Sequence, residues 1–338
     1  MFGNVNGWVG SVIIIALTAG LIVWKGRPAE RSQPTGGLKV AMASAEIQPD
    51  PKAVITPGTK DQDAGDIYRQ LAATVKAKSR LYDLQHGDFV RTTGAKKRAM
   101  IKAVEPEMDL LIEAGKSARM NLFAKNPAEI VNYANRKPIL PELQATALTG
   151  LSVAGMWATP DSSKTNSKPE NPEKARELLE GIYHLGRFLA EERVTFEEYR
   201  IGVDLMSNAA KLLARYGGHN PAKKEEIDVF SQQIGLERYL PVVQVITMVP
   251  EETKMMSMPG DIFDVALNSK EPMWQVEAIL KLGRMRFMRG VKGPDQRDAN
   301  KVLNELAART DLAPNVKAAA VAARDLTIEQ FRLIGGSA

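Results

Sequence analysis

The chain has 338 residues, of which 44% are hydrophobic, 25% charged and 6% aromatic. These proportions are typical of a folded globular protein, and the length allows two domains. The chain has 45 basic and 40 acidic residues, and no long basic block concentrates the excess, so a dedicated nucleic-acid binder is not expected. The lack of cysteine excludes disulfides, thiolate metal sites, iron–sulfur clusters and cysteine nucleophiles.

The first 24 residues contain no charged side chain and include an apolar run from Trp8 to Trp24. A helix rises about 1.5 Å per residue, so this run of 17 residues would span roughly 26 Å, close to the ~30 Å of a hydrocarbon core. Trp8 and Trp24 lie at the two ends of the run, where their indole rings would favour the membrane interface. A cleaved signal peptide would need a basic segment before the run, and the sequence has none. The sequence therefore predicts a transmembrane anchor over residues 1–24, with residues 8–24 in the lipid bilayer.

Basic residues follow this run and none precedes it: Lys25, Arg27 and Arg31. By the positive-inside rule, the rest of a single-pass inner-membrane protein should then face the cytoplasm. Gly3 and Gly7 have the four-residue spacing that lets membrane helices approach closely, so a homodimer through this helix is an alternative to a single anchor. Small residues are common in membrane helices in any case, and we favour that interpretation.

Beyond the anchor, residues 25–60 contain scattered prolines and glycines without apolar periodicity, which predicts a disordered linker. Apolar residues then recur at helical spacing from near Asp63 to Ala158. We expect a helical hairpin or bundle over residues 61–158, with its first two long helices antiparallel. The polar segment 159–171 is rich in Ser, Pro and Asn, which indicates a linker or a surface loop.

Residues 172–338 show the clearest helical pattern. One apolar stripe runs from Ala175 to Leu189, and another follows the capping-box pair Thr195 and Glu198. Asparagine followed by proline marks three helix starts, at positions 126, 171 and 220. The segment Pro241–Val249 is β-branched and would suit a strand, but we assign it to helix because it has no strand partner. The expected fold class is all-α.

The short amphipathic helices of residues 172–334 resemble α-solenoid proteins of the TPR or HEAT kind. The last segment, Pro314–Leu326, reads PNVKAAAVAARDL and is similar to the second half of a HEAT unit, with small residues where an inner helix would pack. The resemblance implies a helical-repeat domain over residues 172–338. An irregular helical bundle is the alternative, because the TPR tryptophan–glycine–tyrosine pattern fits no segment.

The motifs in the sequence assign no catalytic, cofactor-binding or metal residue. Glu180 and His184 share a helix face but have no cysteine or second histidine nearby, so we favour a surface pair over metal ligands. The run GLSVAG at residues 150–155 has one residue too many for a nucleophile elbow. The run DQDAGD at residues 61–66 has its glycine one place early for a calcium loop, so helix capping explains its aspartates better.

Two further clusters could bind ligands. Thioethers for Cu(I) would come from Met255, Met256 and Met258, although core packing or an adaptable partner groove is favoured. A basic strip that could meet acidic lipid headgroups or RNA consists of Arg284, Arg286, Arg289 and Lys292. The favoured alternative is that these cations offset a helix dipole and cover apolar surface.

Together these features favour a non-enzymatic, membrane-tethered helical scaffold that binds a protein partner along its helix surfaces. One alternative is an enzyme whose acidic residues are dispersed and form no motif, which carboxylates of perturbed pKa in a deep pocket would support. Another is a membrane-surface or nucleic-acid binder that uses the basic strip Arg284–Lys292.

Overall fold

The computed structural model describes residues 55, 58–78, 94–134, 137–158, 169–216, 259–288 and 293–334. Eleven helices account for 76% of these residues, which confirms the predicted all-α class in outline. Among them, no helix combines the length and apolarity that crossing a bilayer requires. The predicted anchor, most of the predicted linker, the segment Pro241–Val249 and the methionine cluster at 255–258 lie outside the described residues.

The N-terminal half consists of β1 (Lys60–Asp63), α1 (Ala64–Ala77), α2 (Gly94–Gly115), β2 (Ser117–Arg119), α3 (Ala128–Val131) and α4 (Leu140–Trp157). The two strands pair in parallel, with Lys60 opposite Ser117 and Asp63 opposite Arg119. This pairing sets the start of α1 beside the end of α2, and Lys78, just after α1, pairs with Glu107 in the middle of α2, so the two packed helices run in opposite directions. The sheet was not predicted, because strands of four and three residues show no alternation. Ile55, in the predicted linker, is buried.

The C-terminal half consists of α5 (Pro172–Glu192), α6 (Phe196–Tyr216), α7 (Pro259–Asn268), α8 (Pro272–Met285), α9 (Gly293–Ala308), α10 (Pro314–Asp325) and α11 (Ile328–Leu333). Both predicted stripes, on α5 and on α6, are buried along their length. The start of α5 is capped as predicted, because the Asn171 side chain accepts a hydrogen bond from the Lys174 N–H at 3.1 Å. Proline occupies the first turn of α5, α8 and α10.

One continuous apolar core joins the two halves. Helix α5 lies at its centre and packs against α2, α4 and α6. Helix α10 packs against α3, and α8 packs against α6. One side-chain contact crosses between the halves, where the Tyr133 hydroxyl donates to the Leu280 carbonyl at 2.6 Å. Within the C-terminal half, the rings of Phe196 and Trp274 stack at 5.8 Å between α6 and α8. The core does not divide at the predicted boundary 159–171, of which residues 159–168 lie outside the described part.

Candidate functional site

Helix α4 has an uncharged solvent-facing side. Glu142, in the first turn, is the one charged residue among its 18. Its inner side packs against α1, α2, α5 and α6. The neighbouring helix α5, by contrast, exposes the charged residues Glu173, Arg176 and Glu177. The half-buried or exposed residues of α4 beyond its first turn form one stripe, here called the α4 face: Gln144, Ala145, Leu148, Leu151, Ser152, Gly155 and Met156.

The hydroxyl groups of α4 turn back onto its own backbone and leave the α4 face apolar. Ser152 Oγ donates to the Leu148 carbonyl at 3.3 Å, and Thr149 Oγ1 donates to the Ala145 carbonyl at 2.7 Å. At Gly155, an added Cβ would meet no atom within 4 Å, so the stripe has open space beside it. Cores of protein–protein interfaces are depleted in charged residues, and the α4 face shares that property.

Charged residues surround the C-terminal end of α4. Lys174 Nζ lies 5.0 Å from the centre of the Trp157 ring, an arrangement that favours a cation–π contact. The same ammonium group lies 2.8 Å from Glu105 Oε1 and 2.9 Å from Asp109 Oδ1. Burial opposes the charge of Lys174, but these two carboxylates outweigh it and raise the pKa of the ammonium group. The α4 face thus ends at a polar rim.

A second cluster, of buried carboxyl groups, lies at the turn between α5 and α6. Glu192 Oε1 accepts hydrogen bonds from the backbone N–H groups of Phe123 at 2.8 Å and Ala124 at 2.6 Å. This carboxyl group therefore ties the turn between α5 and α6 to the short segment that connects β2 with α3. Burial raises the pKa of Glu192, and the hydrogen bonds offset this only in part.

Glu198 completes the cluster and has no exposed surface. Its Oε2 accepts from the N–H groups of Val194 at 2.7 Å and Thr195 at 3.3 Å, and its own N–H donates to Thr195 Oγ1 at 3.3 Å, so the predicted capping box is confirmed. Its carboxyl group also hydrogen-bonds that of Glu192. Burial and the charge of Glu192 raise the pKa of Glu198 well above its ordinary value. Burial thus favours the protonated form of Glu198 beside Glu192.

The same turn contacts the starts of two later helices. Arg193 has a positive φ of 35°, and its Nε lies 3.7 Å from Glu271 Oε1 at the N-terminus of α8. Asn315, at the N-terminus of α10, donates to the Val194 carbonyl at 3.0 Å. Burial raises the pKa of Glu271, against the influence of Arg193. Several hydrogen bonds of this turn connect it to other parts of the chain, those of Glu192 and the Val194 carbonyl among them. The main role of its carboxyl groups is therefore to hold helices together.

The structure places two residues of the predicted basic strip. Arg286 Nη1 donates to the carbonyl groups of Ala323 at 2.8 Å and Arg324 at 2.7 Å, at the C-terminus of α10. The Arg284 guanidinium lies 5.9 Å from the centre of the Tyr133 ring. Both guanidinium groups are thus engaged with the protein, whereas Arg289 and Lys292 lie outside the described residues. Arg286 lies where a cation offsets the dipole of α10, whereas the favoured interpretation concerned Arg284 and Arg289 at the end of their own helix.

The prediction that Glu180 and His184 form a surface pair is wrong. His184 is only 6% exposed, because α5 lies at the centre of the core, and Glu180 pairs instead with Arg176 Nε at 2.9 Å. Burial, together with the Arg187 guanidinium, lowers the pKa of His184 to about 3, so its imidazole is neutral. Among the described residues, no three His, Asp or Glu side chains are grouped as metal ligands.

The other two motifs have structural roles. The run GLSVAG is part of α4, not a strand-to-helix turn. Asp63 caps α1, since its Oδ1 accepts from the Gly65 N–H at 2.9 Å, as the capping interpretation predicted. The sequence patterns did not predict the α4 face as a binding surface. The signal that could have revealed it is the lack of charged residues between Leu143 and Ala158.

Comparisons of this chain with protein families, with curated proteins and with solved structures gave no match. Its function must therefore be inferred from the residues themselves. The α4 face is uncharged, like the core of a binding surface. The carboxyl cluster of the α5–α6 turn binds backbone N–H groups and holds segments of the fold together.

Proposed function

We propose that this chain is a membrane-tethered helical scaffold that binds a protein partner through the α4 face. The observation that supports this most is the uncharged stripe itself, on a helix whose neighbour α5 exposes alternating charges. A water-exposed helix normally has charged residues opposite its buried side. An apolar stripe with small residues at Ala145, Ser152 and Gly155 lets another helix approach closely and loses little hydration when covered.

The frame around α4 is well suited to presenting such a surface. Helix α4 packs on four other helices, and α5 behind it is tied by its C-terminal turn to the segments that begin α8 and α10. Side chains on a rigid frame lose little conformational entropy when a partner binds. The solenoid-like order of residues 172–334 is part of the proposal, and the sequential packing of α5 on α6, α7 on α8 and α9 on α10 supports it. The packing of α3 against α10 would close such an array onto the first half.

Tethering is proposed from the sequence. Residues 1–24 would span the inner membrane, and the part of the predicted linker that precedes the buried Ile55 would connect this anchor to the folded part. The basic residues after Trp24 would keep the folded part in the cytoplasm. The full chain should sediment with membranes after lysis and resist extraction with carbonate, and a chain without residues 1–24 should not. Recovery of the full chain in the soluble fraction would overturn the tether and leave the partner surface to be tested separately.

The partner surface can be tested by site-specific crosslinking. We expect a photoreactive amino acid at Ser152, which is exposed on the α4 face, to form a discrete crosslinked product in the cells that make this chain. The matched control is the same amino acid at Asn304, which is exposed on α9. Identical product patterns at the two positions, or none at either, would count against the α4 face.

A test that introduces a charge complements the crosslinking. Burying an unpaired charge in an apolar interface costs at least about 1.4 kcal/mol, so Ser152→Arg should reduce partner recovery at least about tenfold. Asn304→Arg adds the same charge on α9 and should leave recovery unchanged. Equal recovery with Ser152→Arg and the unmodified chain would exclude the α4 face as the contact.

The alternative of an enzyme with dispersed acidic residues finds one supporting observation, the raised pKa of both Glu192 and Glu198. Their geometry weighs against catalysis. Glu198 has no exposed surface, and each carboxyl group is bound both to backbone N–H groups and to the other. A substrate could not reach Glu198 without breaking the turn, and the half-buried Glu192 is committed to the backbone N–H groups of Phe123 and Ala124, so a scaffold accounts better for this cluster.

A further inference from the structure

Two carboxyl groups in direct hydrogen-bonded contact must share a proton, because two carboxylates have only acceptors to offer each other. Glu192 and Glu198 are in such contact. Each uses one oxygen for backbone N–H groups, Oε1 in Glu192 and Oε2 in Glu198. The other two oxygens, Glu192 Oε2 and Glu198 Oε1, are buried and have no further hydrogen-bond partner in the described part of the chain. The geometry therefore sets these two atoms as the ends of the shared bond.

We propose that this pair is a protonation-dependent latch, which holds the backbone of Phe123 and Ala124 on the α5–α6 turn while one proton is present and releases it when that proton leaves. The latch does not depend on the scaffold function or on the membrane tether.

The two carboxyl groups differ in how firmly the surrounding structure holds them, and this difference determines which side chain moves. Glu198 is fixed within its own turn by the N–H groups of Val194 and Thr195 and has no exposed surface. Glu192 is half-buried, and its backbone partners belong to a different segment of the chain. When Glu198 ionises, the repulsion between two adjacent carboxylates is relieved most easily by Glu192 turning toward solvent. That movement breaks its bonds to Phe123 and Ala124.

The charged groups around the pair determine where the proton resides. Arg69, on α1, faces Glu192 and favours its ionised form, so the proton resides on Glu198. Arg69 also pairs with Glu129 at 3.0 Å, which divides its positive charge between two carboxylates. On the side of α8, the charge of Glu271 is opposed by Arg193. Burial raises the pKa of both carboxyl groups of the pair, which moves release above the ordinary carboxyl range.

Hydrogen exchange of the full chain tests the latch at the amide groups that it holds. The protection of the Phe123 and Ala124 N–H groups, corrected for the intrinsic pH dependence of exchange, should fall as the pH rises above the ordinary range of carboxyl groups. One linked proton changes the opening equilibrium by at most about tenfold per pH unit above its pKa. Protection that stays constant above that range would overturn the proposal.

Two variants separate the latch from general loosening. Glu198→Gln offers Glu192 a permanent N–H donor and still accepts from Val194 and Thr195, so protection at Phe123 and Ala124 should become independent of pH. Glu197→Gln removes a neighbouring carboxylate that pairs with Lys137 and Arg200, and the fall in protection should remain. A parallel fall in Glu198→Gln and the unmodified chain would refute the latch.

A third variant keeps the test decisive if Glu198→Gln does not fold. Glu192→Gln retains the acceptor for Phe123 and Ala124 and can donate its own N–H to Glu198. With no charge on residue 192 to repel, protection at these amides should no longer fall as pH rises. A fall as large as that of the unmodified chain would show that the pair does not control this contact.

Discussion

Gly186 of α5 and Gly202 of α6 face each other at the crossing of the two helices. A Cβ at either position would lie 2.5 Å from the carbonyl oxygen of the other, which is closer than atoms can approach. The crossing therefore depends on the absence of both side chains, and it brings together the helices that hold the carboxyl cluster.

Alanine at either of these glycines should destabilise the protein. The added methyl group must push the helix backbones apart, so we expect Gly186→Ala and Gly202→Ala each to lower the free energy of unfolding by about 1–3 kcal/mol. The control is Gly155→Ala on α4, where an added Cβ meets nothing within 4 Å. Helix propensity should make that variant more stable by about 0.5–1 kcal/mol. Urea titration measures all three, and a neutral Gly186→Ala would contradict the close crossing.

Asp63 should contribute stability that is lost in acid. Its carboxylate accepts from the N–H groups of Gly65 at 2.9 Å and Asn121 at 2.8 Å. Burial opposes its ionisation, yet hydrogen bonds from Asn121, Gly65 and Lys125 lower the pKa of Asp63 below its ordinary value. Asp63→Ala should therefore lower the free energy of unfolding by about 2 kcal/mol near neutral pH.

Acid titration provides the control for Asp63. A carboxyl group with a lowered pKa in the folded state stabilises it above the pKa of the unfolded chain and less as the pH falls. The difference in stability between Asp63→Ala and the unmodified chain should therefore shrink toward pH 3. Asp66 is exposed in the first turn of the same helix, and Asp66→Ala should change stability by less than about 0.5 kcal/mol near neutral pH.

His184 should weaken the fold in acid by a separate route. Burial lowers its pKa to about 3, whereas an imidazole in the unfolded chain titrates near 6.5. The unfolded state then binds more protons below about pH 6.5, so stability decreases as pH falls toward 3, by on the order of 1 kcal/mol per pH unit. The ring Hε1 resonance of His184 should not shift between about pH 8 and pH 4 in the folded chain. A midpoint near pH 6.5 would show that the imidazole is solvated.

Arg286 should be more important for stability than its exposed neighbours. Its guanidinium satisfies two carbonyl groups at the end of α10, so Arg286→Ala should cost about 1–3 kcal/mol in thermal or urea unfolding. Arg324→Ala is the control, because Arg324 is exposed and pairs with Asp325 at the surface, where solvent screens an ion pair and leaves it little effect on stability. Equal effects of the two substitutions would mean that the carbonyl contacts add nothing.

Local patterns in the sequence predicted the helices well. The buried stripes of α5 and α6, the cap at Asn171 and the capping box of Thr195 and Glu198 all lie where spacing placed them. These features arise within one or two turns of chain, so the residues that cause them are neighbours in sequence. The anchor at residues 1–24 and the partner remain predictions.

The sequence by itself determined the capped start of α5, the apolar sides of α5 and α6, and that cysteine chemistry is absent. Only the tertiary structure decided that His184 is buried, that β1 pairs with β2, and that Glu192 contacts the backbone of Phe123. The physical reason is distance along the chain. A hydrogen bond between segments tens of residues apart depends on how whole helices pack, and that packing follows from the summed burial of many side chains rather than from any short motif.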